Sequence, residues 1–300
     1  MYIFLDKKFK IVDAFYILMM IIPILTGIVL QVLTKPQSEG ITITGARIFF
    51  TIPMPIQDFP VTESQVNSAL VLIAIVFLCL FLTHGIEEKV HLKRQHFAEL
   101  IVEKVDGMVL ENMGEYFKGY SPFIIAILAL SAFSSLLSLF GLFPPTSDIN
   151  IVAGWAILVF ILITYYKLKC GPVYYLKSFT EPVAFLAPIN FLSEFATPIS
   201  MSFRHYGNVL SGTVISVLIG TALAGLSNLV LGNLPGFLAD IPLFQIGLPA
   251  VLSIYFDVFS GCLQAFIFAM LTMMYVSDGF SLDDYEKRKM KKLQKKQLKN

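Results

Sequence analysis

Between Lys177 and Lys287 the chain carries a single Lys or Arg, Arg204, in the middle of its longest apolar stretch. A guanidinium stays protonated at any physiological pH. At the centre of a membrane helix it costs roughly 2.5–3.5 kcal/mol on insertion scales, so it is expected to face protein or water and to have a task there. At 100° per residue, Asn208 and Ser211 share its helical face, while Thr213 points to the opposite side. In the following apolar run Asp257 and Gln264 are seven apart and are expected on one face, with Gly261 between them. The two runs thus present an Arg–Asn stripe and an Asp–Gln stripe, a pattern suited to moving or holding a charge inside a bilayer.

Each of these residues also has a plainer reading. Intramembrane Asn, Gln, Ser and Thr commonly bond helices together for under ~1 kcal/mol each, and Ser211 and Thr213 taken alone read that way. Arg204 and Asp257 are too costly for that role, although they could pair with each other. Glu194 lies ten residues before Arg204, where a carboxylate serves either an ion path or the membrane interface. His205 points about 100° away from Arg204 and reads as packed rather than as a proton carrier. His84, His91 and His96 read as interfacial. Asp148 and Asn150 follow Pro144-Pro145, where turn capping is expected.

The elements that position this set are membrane helices. The chain has 300 residues, 56% of them hydrophobic and only 14% charged, with the charge bunched between apolar runs. Runs of spanning length fall at about 11–33, 67–83, 121–143, 151–166, 190–226 and 242–276. The fold class is therefore an all-α polytopic membrane protein of about six membrane helices. With a cytoplasmic N-terminus, 19 of the 22 Lys and Arg fall in inside segments and two, Lys35 and Arg47, outside. Both termini are expected in the cytoplasm. Eight basic residues between Lys287 and Lys299 make a solvated tail that also has the charge to attract anionic lipid.

The first run is expected to be a retained helix rather than a signal peptide, since Leu33-Thr-Lys-Pro-Gln offers no small-residue cleavage site. Over 91–118, Phe97, Leu100, Ile101, Val105, Met108, Val109 and Met113 follow helical spacing opposite Glu99, Glu103, Lys104, Asp106 and Glu111. This amphipathic helix lies at the interface or against a partner helix. Residues 190–226 would span about 55 Å as one helix, against a hydrocarbon core of about 30 Å. They must tilt steeply or break, with Pro198 and Pro249 as potential kinks. With a turn at 228–240, residues 190–276 read as a long, strongly tilted hairpin. The expected organisation is an extra N-terminal membrane helix (1–34), an external loop (35–66) and a core (67–300) ending in a basic tail (277–300).

No phosphate-binding loop, H-E-x-x-H or G-x-S-x-G is present, so no catalytic site and no cofactor are expected. Cys79, Cys170 and Cys262 lack metal-ligand spacing and read as apolar side chains. The net charge of +1 gives no reason to expect nucleic acid.

Pro198-Ile-Ser-Met-Ser-Phe-Arg204-His-Tyr-Gly-Asn208-Val-Leu-Ser-Gly212 resembles the P-x-S-x-x-x-R-x-x-G-N-x-x-x-G signature of subunit a of F-type ATP synthases. Leu263-Gln264-Ala-Phe-Ile-Phe-Ala-Met-Leu-Thr272, Pro145-Thr-Ser-Asp148-Ile-Asn150 and Val61-Thr-Glu-Ser-Gln-Val-Asn67 resemble three further family segments, in family order. The resemblance implies the ion-translocating stator of a rotary motor, coupling H+ or Na+ flow to ATP synthesis or hydrolysis. Its implied partners are a c-subunit ring, peripheral-stalk b subunits and membrane lipid. Arg204 would displace the ion from passing ring carboxylates and block leakage between two half-channels. Asn208 and Gln264 would line the ring-facing seam. Asp257 would act in the half-channel open to the outside, and Glu194 in the cytoplasmic one. Thr213 stands where some members carry Glu, and Ser138 and Gly141 lie in a region where some carry Asp and Asn. The extra N-terminal run departs from five-span members. The competing reading is a stand-alone secondary transporter with Arg204 holding an anionic substrate; a structural scaffold is a third. The absence of a recognisable transit peptide and the basic tail point to a bacterial plasma membrane.

Overall fold

The structure is a computed structural model that describes residues 11–34, 45–55, 57–86, 93–180, 183–231 and 247–297. Lys7, Lys8, Lys10, Lys35 and most of the expected turn at 228–240 lie outside the described residues. Helix α1 (Ile11–Thr34) precedes an antiparallel pair of short strands, β1 (Ile48–Ile52) and β2 (Phe59–Thr62). Then come α2 (Glu63–Thr83), α3 (Lys93–Met113), α4 (Ser121–Leu136), α5 (Ile149–Cys170), α6 (Pro172–Thr180) and α7 (Ala187–Leu231). The last elements are α8 (Leu248–Ser253), a π-helical segment (Ile254–Ser260), α9 (Gly261–Asp278) and α10 (Leu282–Gln297). Among the described residues six helical stretches are long and apolar enough to cross a membrane.

Helix α7 runs through Pro198 as 45 continuous residues. Its length is therefore about 68 Å at ~1.5 Å per residue, roughly twice the hydrocarbon thickness. Of the two options open to the sequence, a break at Pro198 is not taken, and a continuous helix of this length fits within the hydrocarbon only if inclined. The second arm does change its winding, at the π segment, and that change matters for the site.

The helices bury one face on each other and leave the rest apolar and uncovered, as a lipid solvent permits. The core joins Val105, Val109 and Met113 of α3 to Ile124 of α4, Val159 of α5 and Phe268, Met273 and Val276 of α9. The amphipathic helix thus lies against its own chain through its second half, while Phe97 and Leu100 near its start stay exposed. Helix α1 packs along α2. At one end it is held by Asp13, 1% exposed, whose carboxylate pairs with Arg94 at 2.5 Å.

Two of the signature segments lock together at the opposite end. The Ser64 hydroxyl donates to Asp148, and Asn67 Nδ2 donates to the Phe143 carbonyl at 2.8 Å. Asp148 also accepts the Asn150 N–H at 3.0 Å and so caps α5, as expected of a residue following two prolines. The strand pair rests on this end: Arg47 lies 3.4 Å from Glu63 and donates to the Thr34 carbonyl at 3.0 Å.

Candidate functional site

Arg204 projects from α7 as an exposed side chain. No carboxylate of the described residues pairs with it, and it makes no hydrogen bond to them. The expected alternative, an Arg204–Asp257 pair, is not formed. Its neighbour His205 is fully buried, with Nε2 3.3 Å from the Ser131 hydroxyl and its ring edge-on to Trp155 and Phe268. The packed reading of His205 thus agrees with the geometry, and the same 100° step that buries it turns Arg204 outward.

Four residues further on, Asn208 is half-buried and ties the two arms together. The Ser260 hydroxyl lies 2.8 Å from Asn208 Nδ2 and 2.9 Å from Oδ1. Close approach at this level is secured by glycine. A Cβ on Gly212 would sit 3.0 Å from the Phe256 side chain, and one on Gly261 would sit 2.8 Å from Ser135 Cβ. Ser211 is exposed and returns its hydroxyl to the Gly207 carbonyl at 2.6 Å.

The π-helical winding over Ile254–Ser260 separates two residues that ideal α-helical spacing puts together. Asp257 is half-buried and accepts a hydrogen bond from the Ser253 hydroxyl. Gln264, in contrast, is only 5% exposed, beside core residues Ala265 and Phe268. The wider turn rotates everything after Ser260 relative to Asp257. The Asp–Gln stripe is therefore split, and Gln264 is not presented on an open seam.

Asp257 instead faces a cavity of about 380 Å3 at the end of the bundle that carries the strand pair. Thr213, Ser216 and Ser253 line it beside Asp257, and Ser138 and Gly141 come from the turn that follows α4. Arg47 and Glu63 complete it toward the strands. The three positions at which the chain departs from its resemblance, Thr213, Ser138 and Gly141, thus share one cavity with Asp257. Gly141 adopts φ +74° and turns the chain there; its carbonyl accepts from Gln31 of α1.

Glu194 stands apart, toward the other end of α7. Its carboxylate pairs with Lys167 of α5 at 3.0 Å, with side-chain exposures of 7% and 20%. At Tyr175 of α6, burial first and then the Glu194 charge raise the phenol above its ordinary range. Sequence reasoning did not single out Lys167, Ser253 or Ser260 as partners. Ser253 and Asp257 at i, i+4 gave a usable signal; Lys167 and Ser260 meet their partners only through tertiary packing. No group of three His, Cys, Asp or Glu among the described residues is arranged to hold a metal.

An exposed arginine on a membrane-length helix thus lies between a polar cavity toward one end of the hairpin and a paired carboxylate toward the other. Residues 66–277 match the family described as ATP synthase A chain. The chain is 30% identical over 227 residues to "ATP synthase subunit a 3" of Pelobacter propionicus, covering 74% of this chain and 90% of that one. It is 32% identical over 243 residues to ATP synthase subunit a of Priestia megaterium, covering 76% and 97%. To "ATP synthase subunit a, sodium ion specific" of Propionigenium modestum it is 26% identical over 275 residues, covering 81% and 88%. With residues 66–277, more than two thirds of its length, matched in this way, the chain belongs to the ATP synthase A chain family.

Proposed function

We propose that this chain, an ion-translocating stator subunit of a bacterial membrane ATP synthase, works through Arg204 as a fixed positive charge facing a ring of c subunits. The observation that carries the reading is the state of Arg204: charged, exposed on a membrane-crossing helix and unpaired among the described residues. A charge in that setting is costly unless something compensates it. A ring carboxylate passing the face of α7 is the compensating group. As the carboxylate approaches, the guanidinium favours its ionised form and displaces the bound ion; between encounters it bars ions from crossing directly.

The cavity around Asp257 is then the half-channel open to the outside. Asp257 takes up ions through it, and Thr213, Ser216 and Ser253 supply neutral oxygens along the wall. Glu194 belongs to the cytoplasmic half-channel, where its pairing with Lys167 must open for the carboxylate to take part. Asn208 and Ser211 set the hairpin surface beside Arg204. Both termini lie in the cytoplasm, residues 1–34 add a membrane helix to the core, and peripheral-stalk subunits hold the chain against rotation. In membrane vesicles containing the assembled complex, Arg204→Ala abolishes ATP-driven ion uptake; uptake at the wild-type rate would refute the proposal. The same assay at several Na+ concentrations identifies the ion. Uptake that ignores Na+ marks an H+ motor, and uptake that rises with Na+ marks a Na+ motor.

A further inference from the structure

A second built feature lies far from Asp257, where α5 ends and the chain turns into α6. The C-terminal helix α10 comes back beneath this end and is fastened there. Arg288 Nη1 donates to the Leu168 and Lys169 carbonyls at 2.7 and 2.9 Å, occupying acceptors that the helix terminus leaves open. The Ser281 N–H meets the Cys170 sulfur at 3.4 Å. Between α6 and α10 this leaves a groove of about 520 Å3. Among the described residues, Lys177 of α6 and Lys287, Arg288 and Lys291 of α10 line it together with Asp284.

The groove's surroundings indicate what it meets. Val173 and Leu176 of α6 are 76% and 66% exposed, and Met290 and Leu293 of α10 are 58% and 50% exposed. Short helices that expose apolar and basic residues together, at the end of a membrane span, lie in the plane of the interface. Basic clusters in that position attract anionic headgroups, by about 1 kcal/mol for each Lys or Arg near the surface.

We propose that the α6–α10 groove binds the phosphate of an anionic phospholipid, with the acyl chains running into the bilayer beside Val173 and Leu176. Lys177 and Lys291 grip the headgroup from opposite walls. Arg288 mainly holds the groove's shape, since its guanidinium is already engaged with the end of α5. The bound lipid clamps α10 against α5 and α6 and so steadies the cytoplasmic end of the stator. Free phosphate shares the headgroup's chemistry but lacks the apolar part that the exposed Val173 and Leu176 would cover.

The test uses the purified ATP synthase complex, stripped of lipid and re-equilibrated with mixed micelles of phosphatidylglycerol and phosphatidylcholine in equal amounts. Native mass spectrometry then reads the phospholipid retained on this subunit. Wild type retains phosphatidylglycerol in preference. Lys177→Gln with Lys291→Gln lowers that retention about tenfold or more. Lys289→Gln with Lys104→Gln of α3 removes the same charge outside the groove lining and leaves it within about twofold. If the double variant fails to assemble, Lys291→Gln alone gives the same readout with a fall of about fivefold. Equal losses in both double variants would mean general attraction to basic side chains and overturn the site. Displacement by millimolar inorganic phosphate would assign the groove to the free anion and overturn the lipid. No retained phosphatidylglycerol in wild type would mean that another subunit covers the groove, and would also overturn it.

Discussion

Asn208 and Ser260 bridge the two arms of the hairpin through one amide–hydroxyl contact, four residues beyond Arg204 and three beyond Asp257. The contact fixes how the fixed charge and the cavity carboxylate lie relative to each other. Interhelical hydrogen bonds in membranes contribute about 0.6 kcal/mol on average. Ser260→Ala therefore lowers thermal stability of the detergent-solubilised complex slightly, by about 0.5–1.5 kcal/mol. It also slows ATP-driven uptake without abolishing it. A variant indistinguishable from wild type in both would show that the bridge does not set the geometry.

Gly261 tests the closeness of α9 to α4. An added methyl would meet Ser135 Cβ at 2.8 Å, a distance that requires movement. Gly261→Ala is expected to destabilise by about 1–3 kcal/mol through overpacking. Ser135→Gly in the same chain should recover most of that loss, as read by thermal unfolding of the assembled complex. No rescue would place the strain elsewhere.

Thr213 and Asp257 line one cavity from the two arms of the hairpin. If the cavity needs a carboxylate more than it needs one position, Thr213→Glu should restore part of the uptake lost in Asp257→Asn. The expected recovery is from below about a hundredth of the wild-type rate to a tenth or more, within the range positioned proton-transfer groups contribute. An assembled Thr213→Glu/Asp257→Asn complex as inactive as Asp257→Asn would contradict the shared-cavity account.

The Asp13–Arg94 pair is the polar anchor between α1 and α3. Removing one partner from a buried pair leaves the other charge uncompensated, at a typical cost of 3–5 kcal/mol. Asp13→Ala should expose α1 to added protease in solubilised complex. Asp13→Ala with Arg94→Ala should cost less than the two single changes added together. Strict additivity would mean the pair does not couple the helices.

The membrane class, the six spans and the isolation of Arg204 were legible in the sequence, because hydropathy and charge placement are imposed by the bilayer itself. The capping role of Asp148 was legible for a local reason, its place after two prolines. The π segment was not. Residues Ile254–Ser260 carry no proline or glycine to mark a change of winding. Seven-residue spacing therefore put Asp257 and Gln264 on one face, where the structure separates them. The length of α7 left tilt or a break open, with Pro198 as a potential kink, and the helix runs on through it; a proline's lost hydrogen bond can be absorbed within a helix of a membrane protein. The partnership of Glu194 with Lys167 was also invisible, since 27 residues and a change of helix lie between them.

The most direct measurement is passive ion leak alongside ATP-driven uptake in the same vesicles, for wild type and Arg204→Ala, with assembly of both verified. The account predicts that Arg204→Ala loses uptake and gains a passive leak, because the charge that separates the half-channels is gone. Retained uptake with no added leak would contradict it and remove Arg204 from the ion path.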